Sequence, residues 1–179
     1  MRDDNISMIW AQSRNGAIGI NGRLPWTIPG DLKNFSDLTR HHIVIMGRKT
    51  WDSLNPKFKP LPHRYNVILT RDTSGANMTD PYLRVETCHD LDAFLKRHRG
   101  KRIFIIGGAE VYAKMMARAN KLYVTEVDTE IPNADAYAPT IHPEKYRLSA
   151  VSSNLVDPFS GLTYRFKIYK KIECATAMK

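Results

Sequence analysis

Short runs dominated by apolar residues recur along the chain at 6–11 (ISMIWA), 43–46 (IVIM), 65–70 (YNVILT), 83–86 (LRVE), 103–106 (IFII) and 122–127 (LYVTEV). Each is too short for a buried helix and is bounded by polar or turn residues, which predicts strands, the run at 83–86 being the weakest. Strands apolar on both faces belong to sheets covered on both sides, and such sheets are mostly parallel. Between the runs the spacing changes to that of helices. Pro29 suits a first helical position, and from it Asp31, Phe35 and Leu38 fall at i, i+4 and i+7 on one face. A short helix follows Gly47 with Trp51 and Leu54, and another spans 91–97 with Leu91, Phe94 and Leu95. A fourth follows Gly107-Gly108 with Val111, Tyr112, Met115 and Met116, the methionine pair reading as core filler. Near the end, 147–155 and 163–170 alternate polar and apolar residues around the turn Pro158-Phe159-Ser160-Gly161, which predicts antiparallel strands. The pattern predicts an α/β protein: a mostly parallel twisted central sheet of about eight strands, an antiparallel C-terminal edge hairpin and four flanking helices.

The connections carry signals of their own. Residues 13–28 form a long loop marked by Asn15-Gly16 and Asn21-Gly22, yet Ile18, Ile20, Leu24 and Trp26 are apolar, as in a cover that packs on something. Residues 55–63, rich in proline and lysine, read as a surface loop, and 130–144 as irregular chain with three prolines. Thr87 and Asp90 have the spacing of a capping box before the helix at 91.

With 179 residues, 42% hydrophobic and 25% charged, the chain suits one globular domain, residues 1–179 with a core over about 6–170. It has no run of eighteen apolar residues and carries two acids near its start, so neither a membrane span nor a secretory leader is expected, and the expected compartment is the cytoplasm. Cys88 and Cys174 lie far apart without ligand spacing, so free thiols and no metal are expected. Glycosylation-like triplets at 34–36 and 77–79 carry no weight in that compartment. The net charge of +9 favours acidic partners. Its densest run, KRHRGKR at 96–102, follows an amphipathic helix and contains Gly100, which reads as a solvated helix end whose cations suit the dipole. No stacking aromatics accompany it, so nucleic acid is not an expected partner.

Candidate chemistry begins in residues 18–35, IGINGRLPWTIPGDLKNF, where one carboxylate is set among hydrophobes. As a first-turn acid, Asp31 could be a dipole partner contributing about 0.3–1 kcal/mol. Its place on the face of Phe35 and Leu38 points instead to a dry pocket, where a lone carboxylate serves recognition or acid–base work with its pKa raised by desolvation. The order strand, glycine, helix start occurs twice, at Gly47-Arg48-Lys49-Thr50 and at Gly107-Gly108, and it turns backbone N–H groups toward an anion. Neither is a complete signature: GRKT has His42 at the upstream glycine position and Arg48 at the lysine position, and the double glycine is not GxGxxG. Arg48, Lys49 and Arg71 follow strands expected to be parallel, which gathers them at the sheet edge where ligands bind in open α/β folds. Arg64, alone before the run at 65–70, reads as a solvated strand end. Thr125, polar among apolar neighbours, needs a buried partner.

Six pieces in order, ISMIWA, then IG with LPW and PGDLKNF, IVIMGRKTWDSL, LPHRYNVILTR, IFIIGGAEVY and KLYVTEVD, resemble the dihydrofolate reductases over residues 6–170. Aspartate rather than glutamate at 31 resembles the bacterial form. The resemblance implies a monomeric, NADPH-dependent oxidoreductase that passes hydride to C6 and a proton to N5 of 7,8-dihydrofolate, supplies one-carbon and thymidylate metabolism, and is a target of antifolate inhibitors. It also implies a catalytic set of Asp31, Trp26 and Thr125. In it Asp31 pairs with the pterin 2-amino group and N3, Thr125 is linked to Asp31, and Trp26 belongs to a mobile lid formed by residues 13–28. Ile9 and Ile106 would accept from the ring through main-chain carbonyls. Trp10, Ala11, Leu32, Phe35, Ser53, Leu54, Leu61 and Tyr112 would surround the ring and aminobenzoyl unit, and Arg64 would clamp the α-carboxylate, a bidentate task that lysine does poorly. For the cofactor, the resemblance implies Ala11 and Ile18 at the nicotinamide, with Gly19, Ile20, Gly22 and Leu24 of the lid. Arg48, Lys49, Leu69, Thr70 and Arg71 would hold the adenosine 2′-phosphate side. Gly47, Thr50, Ile106, Gly107, Gly108, Ala109, Glu110, Val111 and Tyr112 would surround the pyrophosphate, with the Gly-Gly pair joined by a cis peptide. Two features depart from the pattern. Ala109 and Glu110 stand where many bacterial relatives have a third glycine and a basic or neutral residue, and the loop at 55–59 is longer than in the shortest relatives.

Two other readings compete. A reductase of a different pteridine or pyrimidine intermediate could share the fold, and Asp31 together with Arg64 is the feature that favours folate. A non-catalytic basic binding protein accounts for the charge but not for an acid beside Phe35.

Overall fold

A computed structural model describes residues 5–71, 80 and 84–173. Its elements are β1 (Ile6–Ser13), β2 (Ala17–Gly19), α1 (Pro29–Thr39), β3 (Ile43–Gly47), α2 (Arg48–Ser53), β4 (Tyr65–Leu69), β5 (Val85–Cys88), α3 (Leu91–Arg97), β6 (Ile103–Gly107), α4 (Ala109–Met115), β7 (Lys121–Val127), β8 (Ala136–Tyr137), β9 (Tyr146–Val151), β10 (Leu155–Val156) and β11 (Thr163–Lys171). Nine of the strands make one sheet in the order β10-β11-β7-β1-β6-β3-β4-β5, with β9 also paired to β11. From β7 to β5 every pairing is parallel. β11 runs antiparallel to β7, β9 and β10.

The parallel strands are mostly apolar at their centres, where both of their faces are covered. Met8, Ile45, Val67, Ile105 and Leu122 pack with Leu91 and Phe94 of α3 and Val111 and Met115 of α4. Ile9, Val44, Met46, Ile68 and Phe104 turn to the opposite face, against Phe35 and Leu38 of α1 and Trp51 of α2. Alternate residues of one strand thus serve two separate cores, as the period-two pleat requires. Parallel pairing also sorts the strand ends: the carboxyl ends of β1, β3, β4, β6 and β7 share one edge, and their amino ends share the other.

Several expectations are corrected. Residues 13–28 are not bare loop, because β2 pairs with β8 and draws 136–137 out of the irregular stretch, with Asp135 Oδ2 accepting from the Asn21 N–H at 2.7 Å. Within this segment Ile18 and Trp26 pack, but Leu24 is 50% exposed. The strand expected at 83–86 begins at Val85, and Leu83 lies outside the described residues. Asp90 is itself the cap of α3, accepting from the Ala93 N–H at 3.0 Å, while Thr87 belongs to β5, so the two form no capping box. The stretch at 147–155 divides into β9 and β10, and β9, at the sheet's margin, is exposed on both faces beyond Tyr146. Residues 55–63 include a 3₁₀ turn at Pro56–Phe58, a cis Lys59–Pro60 bond and buried Leu61. Cys174 and the triplet at 77–79 lie outside the described residues. Among those residues no helix is long and apolar enough to cross a membrane.

Gly30, in the first turn of α1, lies so close under the Tyr164 hydroxyl of β11 that a β-carbon there would overlap the phenol oxygen. Gly30→Ala is therefore expected to destabilise the fold by about 1–3 kcal/mol through overpacking, although alanine is the better helix former. Adding Tyr164→Phe is expected to recover part of the loss. Urea unfolding midpoints of the parent, the single variant and the double variant check this.

Candidate active site

Proline at the start of α1 presets φ and needs no hydrogen bond there, so the helix begins at Pro29 with Ile28 as an N-cap that offers no side-chain acceptor. That start places Asp31 in the first turn, over the middle of β7. There the buried Thr125 hydroxyl donates to Asp31 Oδ1 at 2.6 Å. Burial pushes the Asp31 carboxyl above the usual carboxylate range, and the Thr125 bond offsets only part of that. Around it, Trp26, Ile28, Ala11, Val127 and Tyr164 form one buried cluster. The Trp26 indole N–H is buried with no hydrogen-bond partner among the described residues. Tyr112 is buried with its ring centre 5.4 Å from that of Trp10, and its hydroxyl donates to the Ile9 carbonyl at 2.7 Å. Burial holds that phenol well above its ordinary pKa, so it acts as a neutral donor.

The far end of α1 holds Arg64. This arginine is not a solvated strand end but 6% exposed. Its Nη1 donates to Thr39 Oγ1 at 3.1 Å and its Nε to the Pro62 carbonyl at 2.9 Å, with the guanidinium 5.6 Å from the Phe35 ring centre. Burial and then the nearby Arg40 lower its pKa, but a guanidinium starts too high to lose its charge. The turn carrying Arg64 is folded by buried Asn66, which accepts from the Leu61 N–H at 3.0 Å and donates to the carbonyls of Leu61 at 3.0 Å and Arg64 at 3.2 Å. Asp31 and Thr39 are eight residues apart on α1, about 12 Å along its axis. Phe35 and Leu54 are half-buried between the two ends.

At the carboxyl edge, Gly47 caps α2 and Gly108 caps α4, neither with a side-chain bond, so both helix starts keep backbone N–H groups open. Close approach favours glycine there: a β-carbon at Gly47 would lie 3.1 Å from Val111 Cγ2, and one at Gly108 3.2 Å from Thr50 Oγ1, so either neighbour would have to yield. Gly107, at φ +128°, sits beside Tyr112 and Thr50, and the Gly107–Gly108 peptide is cis, as the resemblance implied. Arg48, Lys49 and Arg71 are exposed after the neighbouring strands β3 and β4, with Arg48 Nε held between the two Asp52 oxygens at 3.1 and 3.0 Å. Open amides, a glycine cradle, a hydroxyl and three cations fit a phosphorylated dinucleotide.

The other named residues have the following surroundings. Ser53 is exposed and donates back to the Thr50 carbonyl at 2.7 Å, and Leu32 is half exposed. Glu110 is exposed in the first turn of α4, the Thr70 carbonyl bonds the His89 ring, and Leu69 packs on the core. Ile18 packs on the core too, Gly19 pairs with Ala136, Ile20 bridges Arg23, Gly22 turns at φ +72°, and Ile106 and Ala109 are half-buried. Thr39, Asp52, Asn66 and Tyr164 shape the site without having been read from the sequence. Two signals were available: Asn66 is a polar residue inside an apolar strand, and Asp52 lies four residues after Arg48 on one helix.

A parallel sheet with glycine-led helix starts and cations at its carboxyl edge, and a desolvated acid on an adjoining face, defines an α/β enzyme of the nucleotide-cofactor class. The family model for dihydrofolate reductase matches residues 5–171, and the chain belongs to that family. The dihydrofolate reductase of Mycobacterium tuberculosis is 36% identical over 172 residues, covering 93% of this chain and 98% of the relative. That of Mycobacterium leprae is 35% identical over the same shares of both chains. Among solved structures, dihydrofolate reductase from Enterococcus faecalis complexed with NADP(H) and RAB-propyl is similar, with a TM-score of 0.82 and 25% identity over 96% of this chain and 99% of that one.

The raised pKa of Asp31 makes a prediction about stability. A carboxyl that titrates higher folded than unfolded contributes fully below the unfolded value of about 3.9 and loses that contribution as the pH rises through the folded value. Asp31→Asn keeps an acceptor for Thr125 and removes the charge. It is expected to melt at a higher temperature than the parent at pH 7, with a gap that opens above about pH 4 and then levels. Thermal melts of both proteins over that range check it.

Proposed function

We propose that the chain reduces 7,8-dihydrofolate to 5,6,7,8-tetrahydrofolate with NADPH, as a single-domain monomer acting in the cytoplasm. The observation that carries this reading is that two side chains of opposite charge are tied to the two ends of α1, Asp31 through Thr125 and Arg64 through Thr39. A ligand with a paired N–H edge at one end and a carboxylate at the other matches both. A reductase of a tail-less pteridine would offer the Arg64 charge no carboxylate to meet.

When bound, NADPH supplies the hydride that goes to C6. Ionised Asp31 accepts from the 2-amino group and N3, and its charge makes N5 more basic, so that water can deliver the proton there. Thr125 takes one lone pair of Oδ1, fixing the rotation of the carboxylate and leaving Oδ2 and the second lone pair of Oδ1 for the paired N–H groups of the substrate. The Ile9 carbonyl, held from behind by Tyr112, has a second lone pair, and it and the Ile106 carbonyl are further acceptors for ring N–H groups that Asp31 does not take. Phe35, Leu54 and Leu61 wall the aminobenzoyl unit. Arg64, with Nε and one Nη1 proton turned inward, keeps Nη2 for the α-carboxylate. Trp26 and residues 13–28 close over the reacting ring and exclude bulk water. Arg48, Lys49 and Arg71 hold the 2′-phosphate, and the two glycine-led helix starts with Thr50 hold the pyrophosphate. Antifolate inhibitors occupy the Asp31 pocket.

Mixing the protein with dihydrofolate and NADPH and following the loss of absorbance tests the reading directly, and no change in absorbance would refute it. Asp31→Asn is expected to slow turnover at neutral pH by about 10²- to 10⁴-fold while the fold persists. Arg64→Leu is expected to weaken substrate binding by about 1.5–3 kcal/mol with less effect on kcat. Equal affinity of the parent for folates with and without the glutamate tail would remove Arg64 from the site.

A further inference from the structure

Asp52, near the end of α2, stands between two cations that belong to different parts of the site. Arg48 Nε donates to both of its oxygens, at 3.1 and 3.0 Å, which leaves the terminal guanidinium nitrogens to other acceptors. Lys59 Nζ lies 3.9 Å from Asp52 Oδ1, within reach of an ion pair but too far for a hydrogen bond, and 4.7 Å from the ring centre of buried Trp51. Arg48 belongs to the carboxyl edge, directly after β3. Lys59 belongs to the substrate wall, since two residues on comes Leu61, buried in the core that also holds Trp51, Phe35 and Leu54. Asn66 binds both the N–H and the carbonyl of Leu61 at 3.0 Å and donates to the Arg64 carbonyl at 3.2 Å. A continuous series of contacts thus leads from Arg48 through Asp52, Lys59 and Leu61 to Arg64.

Adjacency of this kind carries a signal only if one member has two arrangements that both sites bias. Asp52 meets that condition. Both of its oxygens serve Arg48, while Lys59, which has no other ion-pair partner among the described residues, is left beyond bonding distance. A phosphate group on the Arg48 guanidinium shares that charge and weakens its hold on Asp52. We propose that Asp52 is a positioning residue that links the 2′-phosphate of the cofactor to the substrate wall: with Arg48 engaged by phosphate, it turns to Lys59 and draws Lys59 and Leu61 toward α2, closing the pocket on the aminobenzoyl unit. The proposal rests on the reading of Arg48 as a 2′-phosphate ligand and of Leu61 as part of that wall. Linkage makes the effect reciprocal, so substrate tightens the nucleotide by the same factor. Asp52 and Arg48 are about half exposed, so the exchange of partners is worth a few-fold and no more.

The test measures the Kd of dihydrofolate by quenching of tryptophan fluorescence, with adenosine 2′,5′-bisphosphate in place of the whole cofactor, so that no hydride moves and no nicotinamide touches the pterin. Saturating bisphosphate is expected to lower that Kd about 2- to 5-fold in the parent, whereas saturating 5′-AMP, which lacks the 2′-phosphate, leaves it unchanged. In Asp52→Asn, and independently in Lys59→Met, whose unbranched stem still covers Trp51, the effect of the bisphosphate should fall below about 1.5-fold. An unchanged Kd in the parent under saturating bisphosphate overturns the link and leaves the reductase reading standing. Equal tightening by 5′-AMP, or the full effect persisting in either folded variant, overturns it too, and Lys59→Met decides the matter if Asp52→Asn does not fold. Failure of the parent to bind the bisphosphate or dihydrofolate overturns the reading beneath.

Discussion

A carboxylate set among hydrophobes at the start of a helix is the most demanding feature of this chain, and the bond from Thr125 to Asp31 is what the surroundings are arranged to keep. Desolvation disfavours the charge, so the carboxyl needs a donor at a fixed place, and β7, held between β1 and β11, supplies it. Proline determines where α1 begins, and glycine beside it lets β11 come close enough for Tyr164 to lie against the first turn. One residue more or fewer before Asp31 would turn the acid about 100° around the helix and away from Thr125. The local rules of helix starting and the long-range rules of sheet pairing meet at this one contact.

The two edges of the sheet divide the chemistry. At the carboxyl edge stand the open amides and glycines of two helix starts. At the amino edge, the turn before β4 brings a buried guanidinium against the end of α1. Between the edges lies the face covered by α1 and α2, lined by Ile9, Phe35 and Leu54. An elongated ligand can therefore lie across the strands with a different kind of charge at each end.

How much of this could be read from the sequence follows from how local each cause is. The central strands were legible because residues apolar on both faces leave few alternatives, and α3 was legible residue for residue because its apolar triplet and flanking charges agree. β2 and β8 were not, since three and two residues carry no periodicity and the pair exists only when both segments meet. The burial of Arg64 was misread because its partner Thr39 lies twenty-five positions upstream and the turn that carries it is folded by Asn66. The Arg48–Asp52 pair, four residues apart on one helix, was within reach of spacing rules and was overlooked. Asp31 was legible for the opposite reason, since spacing alone set it on the face of Phe35 and Leu38.

Because both charged groups of the site are fastened to the same short helix, α1 acts as a rigid spacer. A helix cannot be lengthened gradually: each added residue advances the chain by about 1.5 Å but also swings it about 100°, so the two fastenings stay on one face only when the length changes by a whole turn, about 5.4 Å. Ligand length is thus quantised at this site. A descendant of this protein could vary the walls residue by residue, but it could not adjust the separation of the two charges in small steps without abandoning one of them.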